Sequence, residues 1–148
     1  MVANKPLLVV DASVILKWFL HETTPGQNEA LLLRQDFLLK KIFLAYPHYA
    51  LAEVFNIMSL HFPHNKALSA FSQLFNFRIH DYPITLELAS LALEITSQFT
   101  KVSFYDAGYH ALALQNGGTF ITADKAYYVK TRKKGHILLL DQYEKFKA

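Results

Sequence analysis

The sequence predicts an α/β protein, a three-layer α/β/α sandwich around a mostly parallel central sheet, and three observations carry that expectation. Leu7-Leu8-Val9-Val10 is a short apolar run without polar alternation, as expected of a strand covered by helices on both faces. It ends on Asp11 and passes at once into a helical pattern, and Thr119-Phe120-Ile121-Thr122-Ala123-Asp124 repeats the device ahead of a helix over Lys125–Lys133. Between these two runs strands and helices alternate, which suits parallel strands joined by crossover helices. No repeat, low-complexity tract or linker interrupts the chain, so residues 1–148 read as one domain.

In chain order, the first helix leads into a loop over His21-Glu22-Thr23-Thr24-Pro25-Gly26, whose Pro and Gly break regular structure. A helical pattern resumes over Gln27–Lys41, with Ala30, Leu31, Leu33, Phe37 and Leu38 on its apolar side. Ile42-Phe43-Leu44-Ala45-Tyr46-Pro47 reads as a second strand stopped by proline, and Pro47 suits the first turn of the helix that follows. That helix, His48–His61, sets Leu51, Val54, Phe55 and Met58 on one side, while Glu53 shares a face with Tyr49, Asn56 and Ile57. Pro63-His64-Asn65 breaks the chain before a helix over Lys66–Phe77 with Leu68, Phe71, Leu74 and Phe75 apolar. A short strand within Arg78–Pro83 precedes an amphipathic helix over Thr85–Phe99, with Leu86, Leu88, Ala89, Leu91, Ala92 and Ile95 inward and Glu87 and Glu94 outward. Ser103 N-caps the next helix with Asp106 at its third position, a capping-box shape, and Gln115-Asn116-Gly117-Gly118 ends it. Gly135 stops the helix behind Asp124, and His136–Asp141 reads as the last strand.

Composition narrows the chemistry. At 52% hydrophobic and 18% charged residues, with 12 Phe and 8 Tyr, the chain can build a dense core and is not a disordered one. It has no cysteine, which removes disulfides, zinc thiolates and thiol nucleophiles, so any metal must be held by oxygen or imidazole. That absence fits a reducing cytoplasm, and no window has the unbroken apolar length of a membrane span. A cytoplasmic protein is expected. The net charge of +3 is mildly basic, but Lys125, Lys130, Arg132, Lys133 and Lys134 crowd into ten residues. Such a run is either a solvated helix face or a phosphate-contacting patch.

Four carboxylates stand in apolar surroundings. Asp11 and Asp124 end strands, Asp106 opens a helix and Glu53 interrupts one, whereas acids such as Glu22, Asp36 and Glu144 sit among polar neighbours. Asp11 has two uses open to it: capping the helix at Ala12, or chemistry at the carboxyl end of a parallel sheet. Converging carboxylates repel one another and raise their pKa values unless a cation joins them. Hard divalent ions take oxygen ligands, and paired ions clamp phosphodiesters.

At these positions the sequence resembles the PIN-domain family, and within it the small VapC-type toxins. The matching pieces are Val9-Val10-Asp11-Ala12-Ser13-Val14, Ala52-Glu53-Val54-Phe55-Asn56, Tyr105-Asp106-Ala107-Gly108-Tyr109-His110-Ala111-Leu112-Ala113 and Thr122-Ala123-Asp124, in the family's order. The resemblance implies an endoribonuclease dependent on Mg2+ or Mn2+. Asp11, Glu53, Asp106 and Asp124 would be its catalytic and metal-binding acids, with Ser13, Asn56 and Thr122 supporting them or meeting substrate. It further implies the toxin of a type II toxin-antitoxin pair, a homodimer, and a cognate antitoxin segment docking on apolar anchors, for which Trp18, Phe55, Phe71 and Phe75 are candidates. Lys17, Lys125, Lys130, Arg132, Lys133 and Lys134 are candidates for RNA contact. Gly108 and His110 depart from the family pattern, which has bulkier apolar residues there; His110 reads first as a satisfied, partly buried histidine, and otherwise as a residue that orients a carboxylate or meets RNA.

Two rival readings stand beside this one. A non-catalytic PIN-fold module would bind RNA or protein without cutting, and an unrelated α/β domain would use the same acids as caps and surface groups. The single Asp after the first strand, with no paired acids or Gly-rich phosphate loop, argues against a phosphoryl-receiving domain of the latter kind.

Overall fold

The computed structural model describes residues 4–20 and 24–147; the expected loop residues His21, Glu22 and Thr23 lie outside the described residues. Five strands form one sheet, in which every neighbouring pair is parallel: β1 (Leu7–Val10), β2 (Phe43–Pro47), β3 (His80–Tyr82), β4 (Thr119–Thr122) and β5 (Ile137–Leu139), in the order β3-β2-β1-β4-β5. The helices are α1 (Ala12–Leu16), α2 (Gln27–Leu38), α3 (Tyr49–His61), α4 (His64–Asn76), α5 (Leu86–Gln98), α6 (Phe104–Asn116), α7 (Lys125–Thr131) and α8 (Tyr143–Lys147). Helix α6 packs across β1, β2 and β4 with α5 alongside it, while α1 packs on α3.

The central strand explains why its sequence carries no polar alternation. Leu8, Val9 and Val10 are completely buried, and α6 is lined by buried residues from Ala107 through Ala113. Trp18 closes the core below α1, with its indole N–H donating to the Ala30 carbonyl at 2.9 Å and its ring edge-on to Phe77. It is 1% exposed, so it is structural and does not receive a partner as the sequence suggested.

Several boundaries differ from expectation for identifiable reasons. Pro47 is the last residue of β2, aligned with Tyr82, and His48 rather than Pro47 opens the helix, because the His48 N–H donates to the Tyr82 carbonyl and prolongs the pairing. Helix α4 starts at His64 and not Lys66, since Pro63 is extended and serves as its N-cap position, which confines the break from α3 to Phe62 and Pro63. Helix α2 stops at Leu38, short of Lys41, where Lys40 enters the left-handed region at φ 60. Leu86 is 88% exposed because α5 buries Leu88, Ala92 and Ile95 instead.

The C-terminus holds the largest surprise. Asp141 lies in a single 3-10 turn, not a strand, and α8 follows it. Tyr143 is completely buried and donates its hydroxyl to Asp36 of α2 at 2.7 Å, and Lys147 pairs with the same carboxylate at 3.0 Å. Asp36 is therefore a buried acid, 3% exposed, and not the surface group its polar neighbours suggested.

Candidate active site at the carboxyl edge

The sheet reverses its direction of growth at β1: β2 and β3 are added on one side, β4 and β5 on the other. The crevice outside the carboxyl ends of β1 and β4 is the switch point, where open parallel sheets bind ligands. Asp11 directly follows β1 and Asp124 stands two residues beyond β4, so the two strand-ending acids flank that crevice.

Local hydrogen bonds fix both. Asp11 Oδ1 accepts from the Val14 N–H at 3.1 Å and from the Ser13 hydroxyl, while Oδ2 accepts from Thr122 Oγ1 at 2.9 Å. Thr122 Oγ1 in turn accepts from the Asp124 N–H at 3.0 Å, so one buried hydroxyl ties the two strand ends together. Asp11 thus caps α1, and Asp124 caps α7 by accepting from the Tyr127 N–H at 3.0 Å. Capping does not isolate Asp11, because Asp106 and Glu53 lie within its Coulombic reach.

The other two acids arrive on helices. Ser103 caps α6 by accepting from the Asp106 N–H at 3.1 Å, which sets Asp106 in the first turn beside Asp124. Glu53 comes from the middle of α3, which approaches α6 closely at Gly108: a Cβ there would collide with the Tyr49 hydroxyl. That hydroxyl donates to the Tyr105 carbonyl at 2.5 Å. Gly108 is therefore explained by close helix packing that brings Glu53 toward Asp106.

Charge is strained here. Burial raises the Asp11 pKa, its three hydrogen bonds partly offset the rise, and Asp106 adds to it. Burial also raises Asp106, against the Ser103 hydrogen bond and with Asp124 adding to the rise. Glu53 is pushed up to about 7, by burial first and then by Asp11 and Asp106. Its Oε1 is buried without a hydrogen-bond partner. Among the described residues no three acidic or imidazole side chains converge tightly enough to form a ready ion cage. The donor set nevertheless fits a hard divalent cation, which takes few carboxylates and would satisfy the orphaned oxygen.

Beside Glu53 opens a cleft of about 430 Å³ lined by Tyr49, Ala52, Glu53, Asn56 and Tyr105. Asn56 and Ser13 are exposed, whereas Thr122 is buried. The tyrosines were not singled out from sequence as site residues, although Tyr49, Glu53 and Asn56 share one face of α3. Tyr109 was missed too: its hydroxyl is buried, and burial together with Glu53 and Asp11 raises its pKa.

The remaining sequence candidates divide. His110 is fully buried, with Nε2 2.7 Å from the Gly135 carbonyl and Nδ1 2.9 Å from the Tyr127 hydroxyl. A carbonyl only accepts, so Nε2 carries the proton and neutral Nδ1 accepts from Tyr127; burial accordingly lowers its pKa. Histidine 110 is thus the satisfied structural residue. Lys17 Nζ donates to Thr24 Oγ1 at 2.7 Å. In the basic run, Lys130 donates to the Thr100 and Lys101 carbonyls and Lys134 to Gln98, while Lys125, Arg132 and Lys133 are exposed. Lys125 directly follows Asp124, and the bonds of Lys130 hold it at the loop that leads into α6.

The chain belongs to the PIN domain family, whose profile matches residues 8–133. Its fold is that of several solved structures. One is the toxin VapC20 of Mycobacterium tuberculosis, described as cleaving the sarcin-ricin loop, at 17% identity over 82% of this chain and 93% of that one, with a TM-score of 0.63. A toxin-antitoxin complex from Klebsiella pneumoniae matches at 14% identity over 90% and 97%, with a TM-score of 0.65. FitAcB from Neisseria gonorrhoeae matches at 17% identity over 82% and 91%, with a TM-score of 0.62. No curated protein matches the sequence. Among the described residues no helix is long and apolar enough to cross a membrane.

Proposed function

We propose that this chain is a metal-dependent endoribonuclease and the toxin of a type II toxin-antitoxin pair. The observation that carries the proposal is the Glu53 carboxylate, half-buried with one oxygen orphaned and its pKa held near 7 by burial and two neighbouring acids. A protein gains nothing in stability from such a group. Asp11, Glu53, Asp106 and Asp124 would hold Mg2+ or Mn2+, which when bound supplies Lewis acidity to a phosphodiester. Ser13 and Thr122 orient the Asp11 carboxylate, and Asn56 with Tyr49 and Tyr105 lines the cleft that would take the RNA. Lys125, Lys130, Arg132 and Lys133 are exposed cations that would meet phosphates.

An antitoxin and a homodimer belong to the same proposal; the antitoxin is supported by a structural neighbour that is itself a toxin-antitoxin complex. On this chain the apolar anchors would be Phe55, Phe71 and Phe75, whose rings cluster between α3 and α4 with Phe75 58% exposed. The rival reading is a PIN-fold module that binds RNA or protein without cutting. Purified protein stripped of partners, incubated with RNA and Mg2+ or Mn2+, decides between them. The nuclease is expected to cut, to stop with EDTA, and to lose at least about 100-fold in rate as Asp11→Asn, the scale of removing one charge-stabilising group. Equal inertness of both folded proteins, with no metal bound, leaves the binding module.

A further inference from the structure

The sheet is electrically polarised along its strands. Asp11, Asp124 and Asp141 follow the carboxyl ends of β1, β4 and β5, whereas the segments entering the amino ends carry cations: Lys5 before β1, Lys40 and Lys41 before β2, Arg78 before β3, and Lys133 and Lys134 before β5. Lys40 and Arg78 also hold the left-handed conformation, φ 60 and 54, where glycine is the cheaper residue. Their place after α2 and α4 suits a cation at a helix C-terminus, which accounts for part of this pattern.

A cleft of about 360 Å³ opens at that edge. It is lined by Lys5, Phe37, Leu38, Lys40, Ile42, Phe43, Asn76 and Phe77, with no carboxylate among them. Phe43 is 45% exposed although it begins an interior strand, Lys5 Nζ lies 5.3 Å over its ring, and His80 meets the ring edge-on. An apolar slot with an exposed aromatic ring, an amide and two ammonium groups matches an unpaired nucleotide: base on ring, amide on base edge, lysines on phosphate.

We infer that the amino edge of the sheet carries a second RNA contact, in which Phe43 stacks on an unpaired base while Lys5 and Lys40 bind the flanking phosphates. The inference rests on the ribonuclease reading for the identity of the polyanion. Phe43 pairs with Leu7, four residues before Asp11, so the two Cα positions lie about 14 Å apart, four strand steps along and one strand across. RNA long enough to reach both edges then binds as a two-site ligand, tighter than a short one.

The test is fluorescence anisotropy of labelled single-stranded RNA with the full chain carrying Asp11→Asn, so that cleavage does not intervene. Adding Lys5→Glu with Lys40→Glu is expected to weaken binding at least about tenfold and to flatten the salt slope by about 1.4, two single-strand phosphates at about 0.7 each. Adding Phe43→Ala is expected to weaken binding about tenfold with the slope unchanged. Irradiated 5-iodouridine RNA should crosslink to the peptide containing Phe43. All three positions reach solvent, and thermal melts verify that the variants are folded. Parent-like RNA binding in both variants overturns the inference, as does an effect on binding of adenosine monophosphate or polyglutamate without one on RNA. Wild-type cleavage is assayed separately. Cleavage with parent-like binding in the variants sinks this contact alone, whereas Phe43-dependent binding without cleavage upholds the contact and sinks the nuclease.

Discussion

Asp11 and Asp36 are buried to nearly the same degree, 8% and 3% exposed, and their pKa values move in opposite directions. For Asp36, burial by itself raises the pKa, but the Tyr143 hydroxyl, Lys147 and Lys41 more than offset it and bring it below the usual carboxylate value. For Asp11, hydrogen bonds from Ser13, Thr122 and Val14 do not offset burial, and the charge that acts on it, Asp106, is another acid. One carboxylate is completed inside the chain. The other, with Glu53 beside it, is left in need of a positive charge from outside, and that difference separates an acid that holds the fold from acids that suit the proposed chemistry.

The largest effect expected from this contrast is on ligand-linked stability. Mn2+ at a hundredfold excess over its Kd should stabilise the wild type by about 2.7 kcal/mol and leave Asp11→Asn unmoved, read as Tm in a calorimetric scan. An equal rise in both would place the ion elsewhere. Next in size, Asp36→Ala strands the buried Tyr143 hydroxyl and should cost about 2 kcal/mol, roughly 4–8 °C in Tm, with metal-dependent cleavage retained. Loss of cleavage in the folded variant would erase the distinction between the two acids.

The smallest effect is on pH dependence without metal. Glu53, with its pKa raised from 4.5 to about 7, contributes stability that is fully present below pH 4.5 and gone once pH passes about 7. His110 pulls the other way: its lowered pKa means that stability falls as pH drops below 6.5. Asp36 contributes nothing variable in this window, because its stabilisation is lost only as pH falls below 3.8. The measure is therefore the difference between wild type and Glu53→Gln in EDTA. The variant's advantage should grow on the order of 1 kcal/mol from pH 5 to 7.5, discounted for solvent screening of a half-buried group. A constant difference would show that Glu53 titrates normally.

Much of the candidate acidic site was legible because its signals are local. A buried strand that ends on an acid announces itself twice, at Asp11 and Asp124, and the Ser103 cap fixes Asp106 within one turn. Glu53 stood out as a charge among apolar helix neighbours. Features set by distant parts of the chain were not legible. Asp36 lies between Gln35 and Phe37 with nothing nearby to signal burial, since its hydrogen-bond partners are 107 and 111 residues away. Helix α8 is five residues rich in charge, too short for a periodic pattern, and Tyr143 anchors it. Pro47 obeyed strand pairing to β3 over its preference for a helix start, and Leu86 shows that an apolar residue at the edge of a helix stripe need not find a core.

The clasp between α2 and α8 also sets a clock. Asp36 is made early, and the hydroxyl that completes it is made 107 residues later. At 5–20 residues per second a nascent chain waits roughly 5–20 s between the two. Throughout that interval α2 lacks its tyrosine and lysine partners. Asp11, Glu53, Asp106 and Asp124 are all synthesised by residue 124, so the last part of the fold to close is the one that serves stability, after every carboxylate of the candidate active site already exists.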